Sequence, residues 1–215
     1  MVVGMYMSRD VEVIRPDASL SEAIRRMSRR RIRRLVIMDE GAIVGMVCHR
    51  DLVNAFPEDI NPFSPVAMDR DVATGNVAAI MKHPVITVEY DRPIEYAARL
   101  MTEQHIGCLP VTMGDKLAGI ITESDIFRAF TELLSARDDS VRITFSLTEG
   151  ENLLSLLAEI TQTYGITLLS FISCRDGDDR LAVVNVRGAR VQDFVNELWK
   201  AGHSVVSVLR ADEQR

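Results

Sequence analysis

The pair of side chains most suited to ligand chemistry is a hydroxyl and a carboxylate three residues apart. They are Thr122 and Asp125, in the stretch Gly-x-x-Thr-x-x-Asp that begins at Gly119. A carboxylate can accept charge-assisted hydrogen bonds from two neighbouring ligand hydroxyls, and a hydroxyl on the same turn can support it. The alternative is that Asp125 only caps the helix that follows. A related stretch has Asp51 but carries Cys48 in place of the hydroxyl, and a thiol is a weak donor and acceptor.

A second candidate is a run of cations. Seven arginines lie between Arg25 and Arg34, although the whole chain has a net charge of -6. Most of such a run is expected to be solvated surface. The acidic balance and a pI near 5.3 argue against a nucleic-acid partner, because sequence-independent phosphate binding requires a basic surface. Any anion site in this chain must therefore be local.

The sequence offers little for catalysis or for a metal site. Cys48 and His49 are adjacent, but neighbours on a strand point to opposite faces and cannot easily form a nucleophile and its base. His83, His105 and His203 lie in different elements without the spacing of metal ligands, and no phosphate-binding loop or dinucleotide fingerprint is found. We therefore predict a protein that is not an enzyme and holds no metal ion or catalytic cofactor.

The cysteines and the hydropathy pattern bear on the compartment. Cys48, Cys108 and Cys174 are scattered and form no zinc-binding pattern, so we interpret them as structural thiols in a reducing compartment. No apolar stretch approaches the roughly 18 residues of a membrane helix, and the first residues lack a signal-peptide core. We expect a cytoplasmic protein with no membrane partner.

The elements that must position these groups occur twice. Residues 45–51 reappear as residues 119–125, and the offset of 74 residues continues along both copies without a gap. The paired residues are Met7 and Met81, Val11 and Val85, Asp17 and Asp91, Ala23 and Ala97, Met27 and Met101, Ile32 and Ile106, and Leu35 and Leu109. Chance does not readily produce such a register, so the first part of the chain consists of two repeats.

Each repeat is predicted to have the element order β-α-β-β-α. Apolar residues at helical spacing mark the first helix, and Ser19 and Glu22 form a capping-box pair at its start in the first copy. Two apolar strands joined by a polar turn follow. The second helix is predicted to begin at Asp51 or Asp125. Residues 57–76 contain three prolines and no periodicity, which predicts a linker between the repeats.

The remaining chain has a different pattern of apolar residues. From about Ser140 the pattern predicts strand, helix, two strands, helix and strand, in the order βαββαβ. Asp176 and Gly177 suit the turn between the two central strands. Apolar residues at helical spacing, among them Phe194 and Leu198, mark the buried face of the second helix. A second, smaller domain therefore follows the repeats.

The two repeats resemble the CBS domain, named after cystathionine beta-synthase, whose units pair into one compact Bateman module. The resemblance rests on the Gly-x-x-Thr-x-x-Asp of the second copy and on the sequence Ile-Gly-Cys-Leu-Pro-Val at residues 106–111. The C-terminal βαββαβ order, with Tyr-Gly-Ile at residues 164–166, resembles the ACT domain, a small regulatory module that often binds amino acids. The combination resembles CBS-ACT proteins of the acetoin-utilisation type.

These resemblances imply an α/β (α+β) fold in which two β-α-β-β-α repeats form one module and a ferredoxin-like ACT domain follows. The implied segments are CBS repeat 1 at 1–56, a linker at 57–76, CBS repeat 2 at 77–135 and the ACT-like domain at 139–212.

The CBS resemblance implies an adenine nucleotide in a cleft between the repeats. In that family the Thr and Asp of the strand-to-helix turn hold the ribose, which assigns this role to Thr122 and Asp125. The corresponding Cys48 and Asp51 of the first copy would form a weaker second site.

The same resemblance implies a source for phosphate contacts. The gamma subunit of AMP-activated protein kinase has basic residues on phosphate at the positions of Arg33, Arg34 and Arg50. The first repeat would therefore supply the cations to a nucleotide whose ribose the second repeat holds. The residues expected around the adenine by family position are Val85, Ile86, Thr87, Cys108, Leu109 and Pro110.

We therefore expect a non-enzymatic, allosteric regulatory protein that senses a nucleotide of the AMP, ADP and ATP class. It would signal through the ACT-like domain or a partner enzyme, in acetoin or central carbon metabolism. A homodimer is expected, because CBS pairs commonly meet through their helices and ACT-like sheets commonly pair across subunits. The alternative is a structural adaptor whose modules only dimerise and whose nucleotide cleft is vestigial.

Overall fold

The structure, a computed structural model, describes residues 1–57, 60–64, 75–134, 139–147, 153–177 and 179–210. The chain forms two compact units, Met1–Ala129 and Phe130–Arg215, and both contain helices packed on sheets. The predicted mixed α+β class is confirmed. None of the helices in the described ranges has the length and apolar character of a membrane span.

The first unit contains two sheets of the same topology. In each, a short strand lies parallel to a second strand, which pairs antiparallel with a third. The first repeat consists of β1 (Val13–Ile14), α1 (Leu20–Arg30), β2 (Arg34–Asp39), β3 (Ala42–Cys48) and α2 (His49–Asn54). The second consists of β4 (Val88–Glu89), α3 (Ile94–Gln104), β5 (Cys108–Met113), β6 (Lys116–Thr122) and α4 (Glu123–Leu134).

Helix α1 shows how local sequence signals produce these elements. The Ser19 hydroxyl accepts a hydrogen bond of 3.1 Å from the backbone N–H of Glu22, as the predicted cap requires. The apolar stripe of the helix, which includes Leu20, Ala23 and Met27, is buried in the core of the repeat. The prediction that α2 and α4 begin at the two aspartates is wrong by two residues, because each aspartate bonds back to the residue that precedes its helix.

The two repeats exchange their leading segments. Residues 3–8 pack on the second repeat, where the N–H of Val3 bonds to the carbonyl of Arg92 at 2.9 Å. Ser8 and Ile120 exchange two backbone hydrogen bonds, each of 2.9 Å. Residues 77–82 pack on the first repeat in the same way. These exchanged segments hold the repeats together as one unit.

Two buried glycines make room for the exchanged segments, which yields a prediction on stability. A Cβ added at Gly119 would lie 2.7 Å from the backbone oxygen of Ser8, whereas one added at Gly45 would meet only the flexible side chain of Met81 among its nearest atoms. Because Ser8 is fixed by its backbone pairing, Gly119→Ala should lower the free energy of unfolding by about 1–3 kcal/mol. Gly45→Ala, the matched control, should lower it less. Urea denaturation followed by circular dichroism measures both, and an equal loss would contradict the prediction.

The second unit is a four-stranded antiparallel sheet with two helices. It consists of β7 (Val141–Ser146), α5 (Leu153–Tyr164), β8 (Thr167–Asp176), β9 (Asp179–Arg187), α6 (Val191–Lys200) and β10 (Val205–Arg210). The sheet order is β10-β7-β9-β8. Phe145 of the sheet and Phe194 and Leu198 of α6 are fully buried in its core. The order βαββαβ is the one predicted, and Gly177 has the positive φ of 61° that suits the hairpin turn.

The predicted segment boundaries stay predictions. Residues 58, 59 and 65–74 of the predicted linker, and residues 135–138 at the predicted junction before the C-terminal domain, lie outside the described residues.

Candidate functional site

A cavity of about 760 Å³ opens between the two repeats of the first unit. Its walls come from the start of β2, the end of β3, the starts of α2 and α4, the segment before β4 and the residues leading into β5. Ligand pockets for small molecules typically span about 300–1,000 Å³. The cavity therefore has room for a mononucleotide.

One part of the wall is apolar. Met46 of β3 is buried, and Val85, Ile86 and Ile106 are half-buried or partly exposed where they face the cavity. The main chain at Val85 and Ile86 precedes the short strand β4. A flat aromatic ring can be held by such side chains together with free backbone groups.

The rest of the wall is dominated by cations. Four cationic side chains and two carboxylates, those of Asp51 and Glu123, line the cavity. The cations are Arg33, Arg34, Arg50 and Lys82. This local excess of positive charge lies in a chain whose net charge is -6. Such a cavity favours anions, because a phosphate that leaves water requires cationic partners.

Gly107 leaves room for the side chain of Arg34, one of these cations. A Cβ at this position would lie 2.8 Å from Nη2 of Arg34 and 2.9 Å from Oε2 of Glu123. The missing side chain therefore lets a guanidinium of the first repeat and a carboxylate of the second reach the same part of the cavity.

Asp51 lines the cavity at the start of α2. One carboxylate oxygen accepts a 2.7 Å hydrogen bond from the backbone N–H of Cys48, and the other lies 3.3 Å from Nζ of Lys82. The Lys82 side chain is 69% exposed and that of Asp51 only 12% exposed. A solvated lysine can move away, so one oxygen of Asp51 is available to a ligand hydroxyl.

Asp125 has a different environment. Its Oδ2 accepts hydrogen bonds from the N–H of Thr122 at 2.9 Å and from the Thr122 hydroxyl at 2.7 Å. Nη2 of Arg128 lies 2.9 Å from Oδ1. Both oxygens therefore have protein partners, as both oxygens of Asp51 do, but neither Thr122 nor Asp125 lines the cavity. These contacts show directly that Asp125 holds the start of α4.

The structure thus groups the predicted site residues differently from the sequence analysis. The predicted residues that line the cavity are Arg33, Arg34, Arg50, Cys48, Asp51, Val85, Ile86 and Cys108. Those outside the lining are Thr122, Asp125, Thr87, Leu109 and Pro110. Within this cavity the cations therefore lie with Asp51, and the predicted grouping of the cations with Thr122 and Asp125 stays a prediction.

Strand pairing gives the physical reason for the regrouping. Arg34 is paired with Cys48 across β2 and β3, and the N–H of His49 bonds to the carbonyl of Arg33 at 2.9 Å. The cations consequently lie beside the strand-to-helix turn of their own repeat. Asp51 lies on that turn.

Sequence reasoning missed several lining residues, among them Lys82, His105 and Glu123. Glu123 directly follows Thr122, so its position on the turn was a usable signal. Lys82 reaches the site because it exchanges two backbone hydrogen bonds with Met46, of 2.8 and 3.1 Å. No local pattern in the sequence indicates that pairing.

Two thiols also lie in the wall. Cys48 is half-buried and Cys108 is buried, and both face the cavity. In the sequence the cysteines are scattered, whereas these two lie in the same wall. Hydrogen bonding to Cys108 lowers the pKa of Cys48, with Arg34 and Lys82 acting in the same direction against burial and Asp51. The same hydrogen bond, together with burial, raises the pKa of Cys108. Within the described ranges no group of three or more His, Cys, Asp and Glu residues is placed to hold a metal ion.

Comparison with known proteins supports the repeat architecture. The family model named CBS domain matches residues 3–58 and 77–132, together more than half of the chain. The uncharacterized protein MJ1225 of Methanocaldococcus jannaschii is 32% identical over 132 residues, which cover 60% of this chain and 47% of MJ1225. The crystal structure of MJ1225, described as a proposed archaeal homolog of g-AMPK, matches with a TM-score of 0.51 at 31% identity over the same shares of both chains. This chain thus spans less than half the length of MJ1225.

Two further structures match the same part of the fold. The CBS domain pair of protein MJ0100, in complex with 5'-methylthioadenosine and S-adenosyl-L-methionine, has a TM-score of 0.51 at 25% identity and covers 61% of this chain and 97% of its own. A candidate acetoin utilization protein (AcuB) of Vibrio cholerae has a TM-score of 0.50 at 30% identity and covers 62% and 93%. With two copies of the domain matched over more than half of its length, the chain belongs to the CBS-domain family.

Proposed function

We propose that this protein is a non-enzymatic sensor of adenine nucleotides, which bind in the cavity between its two CBS repeats. The observation that carries the proposal is the cavity itself, which places four cationic side chains next to an apolar wall in an otherwise acidic chain. The apolar wall suits the adenine and the cations suit the phosphates, which are the two chemically distinct ends of the nucleotide.

The residue roles follow from position in the cavity. Val85 and Ile86 would hold the adenine, and Arg33, Arg34 and Arg50 would bind the phosphates. The ribose hydroxyls would donate to the carboxylate of Asp51. Lys82, released from Asp51, would then be free to approach a phosphate. Cys48 and Cys108 would form part of the wall between ribose and phosphates.

The site predicted from the family pattern, with Thr122 and Asp125 on the ribose and Thr87, Leu109 and Pro110 near the adenine, stays a prediction. A ribose at Asp125 would lie outside this cavity, because Asp125 is not among the residues that line it. Leu109 is fully buried and could offer a ligand only its main chain. For these reasons we favour Asp51 as the ribose ligand.

Similarity to proteins of known ligand supports the adenosine class. The CBS pair of MJ0100 is described with 5'-methylthioadenosine and S-adenosyl-L-methionine, and MJ1225 is compared with g-AMPK. The Vibrio cholerae structure is that of a candidate acetoin utilization protein, and from this similarity we propose a regulatory role in acetoin or central carbon metabolism. Binding would be signalled through the C-terminal unit, which we propose to be an ACT-like module, or through a partner enzyme. We further propose a cytoplasmic homodimer.

A ligand screen by thermal denaturation tests the proposal. A ligand that binds only the folded state stabilises it by about 2.7 kcal/mol at 100 times its Kd. ATP, ADP, AMP and S-adenosylmethionine should raise the unfolding temperature, whereas inorganic triphosphate and GTP, which lack the adenine, should raise it much less. If none of the adenine compounds stabilises the protein, the cleft is vestigial and the adaptor alternative holds.

A further inference from the structure

We propose that Cys48 and Cys108 form a reversible disulfide site in the cavity wall, at which oxidation by low-molecular-weight disulfides weakens nucleotide binding. The bond itself is independent of any ligand. Its effect on nucleotide binding rests on the function proposed above.

The two cysteines come from different repeats. Cys48 ends β3 and precedes α2, whereas Cys108 begins β5. Both line the same cavity. Cys48 packs against the apolar cluster in which Cys108 is buried together with Val36 and Met46. Two thiols far apart in sequence are thus held side by side at the junction of the repeats.

The two thiols differ in reactivity. Only 5% of Cys108 is exposed, so a reagent cannot approach it from solvent, whereas Cys48 is half-buried and faces the cavity. The thiolate is the reactive form, and the pKa of Cys48 is lowered by the Cys108 thiol and by the cations Arg34 and Lys82. The pKa of Cys108 is raised. Cys48 is therefore the attacking thiol and Cys108 the resolving thiol.

The reaction proceeds in two exchange steps. The Cys48 thiolate attacks one sulfur of a small disulfide RSSR, which breaks the S–S bond, releases RS⁻ and leaves Cys48 bonded to SR. Cys108 then gives its proton to the released thiolate and attacks the Cys48 sulfur, and the second RS⁻ leaves and takes up from water the proton that Cys48 lost when it formed the thiolate. The protein loses two electrons and two protons, and RSSR is reduced to two RSH.

The bond would act on the ligand site through Asp51. The backbone N–H of Cys48 holds one oxygen of the Asp51 carboxylate at 2.7 Å, so a shift of Cys48 also shifts that carboxylate. A disulfide draws the two walls together at this point. We expect the oxidised protein to bind ATP at least about tenfold more weakly. By reciprocity, bound ATP would disfavour formation of the disulfide by the same factor. For a two-electron couple, each tenfold change corresponds to a shift of about 30 mV in the reduction potential of the disulfide.

The test uses the full chain with Cys174→Ser, because Cys174 is exposed in the C-terminal unit and would be modified on its own. Oxidised glutathione is added, and intact mass and peptide mapping report the products. The expected product has lost two hydrogens and contains a peptide that joins Cys48 to Cys108. Adding Cys108→Ser should instead trap one glutathione on Cys48. Adding Cys48→Ser, the matched control, should leave Cys108 unmodified.

Two outcomes would overturn the disulfide site: a glutathione that persists on Cys48 while Cys108 is present, or modification of Cys108 when Cys48 is absent. Circular dichroism confirms that each variant is folded. Calorimetric titration with ATP then compares reduced and oxidised protein, and equal affinities would overturn the coupling to the ligand. If neither form binds any adenine compound, the proposed function fails, while the mass measurement still decides the disulfide.

Discussion

Replacing Arg33 and Arg34 together by alanine is expected to weaken ATP binding about a hundredfold, while adenosine binding changes by no more than about twofold. Hydrogen bonds to charged groups each contribute roughly 1.5–3 kcal/mol, and both guanidinium groups line the cavity. ADP and AMP should fall between the two extremes, in the order of their charge. Isothermal titration calorimetry at one fixed ionic strength measures all four ligands.

The same arginine run provides the control. Arg25 and Arg29 are exposed on α1 and do not line the cavity, so Arg25→Ala with Arg29→Ala removes the same total charge at another place. This pair should reduce ATP binding only slightly, and added salt should cancel the difference. Equal losses for adenosine and ATP in the Arg33 and Arg34 variant would show instead that these arginines only shape the fold.

Asp51→Ala is expected to weaken adenosine and ATP alike, by about tenfold or more, because the ribose is common to both ligands. Charge-assisted hydrogen bonds from two hydroxyls would be lost. Asp125→Ala should leave both affinities within about threefold but lower stability by about 0.5–2 kcal/mol, since it removes the acceptor for the Thr122 N–H and hydroxyl. Calorimetry and urea denaturation on each variant separate affinity from stability.

Asp51→Asn refines this comparison. The amide oxygen can still accept from the Cys48 N–H, so the start of α2 is kept while the charge is lost. If Asp125→Ala abolishes binding and Asp51→Ala does not, the ribose lies at Thr122 and Asp125, as the family pattern predicts, and the arrangement proposed for the cavity is wrong.

Those features of the fold that depend on local periodicity could be predicted from the sequence. The stripe of α1, the cap at Ser19 and the element order of the C-terminal unit each depend on residues within a few positions of one another. The offset of 74 residues revealed the repeats because their lengths match without a gap. In each case the signal lies within one element or in one constant spacing.

The candidate site depends on contacts that no such pattern records. Lys82 reaches Asp51 only because its segment pairs with β3 of the other repeat. Cys48 and Cys108 meet across the junction of the repeats although 60 positions separate them in the sequence. Analogy between the repeats suggested which residue types matter, but strand register decided which of them share one cavity.

The exchange of leading segments also fixes the order in which this chain can fold as it leaves the ribosome. Residues 77–82 complete the first repeat while the second is still being made. Val3 and Ser8 are synthesised before the rest of both repeats, but their partners Arg92 and Ile120 follow much later. At a synthesis rate of roughly 5–20 residues per second that delay is on the order of ten seconds. Throughout it the apolar side chain of Val3, fully buried in the finished protein, stays uncovered and within reach of a chaperone.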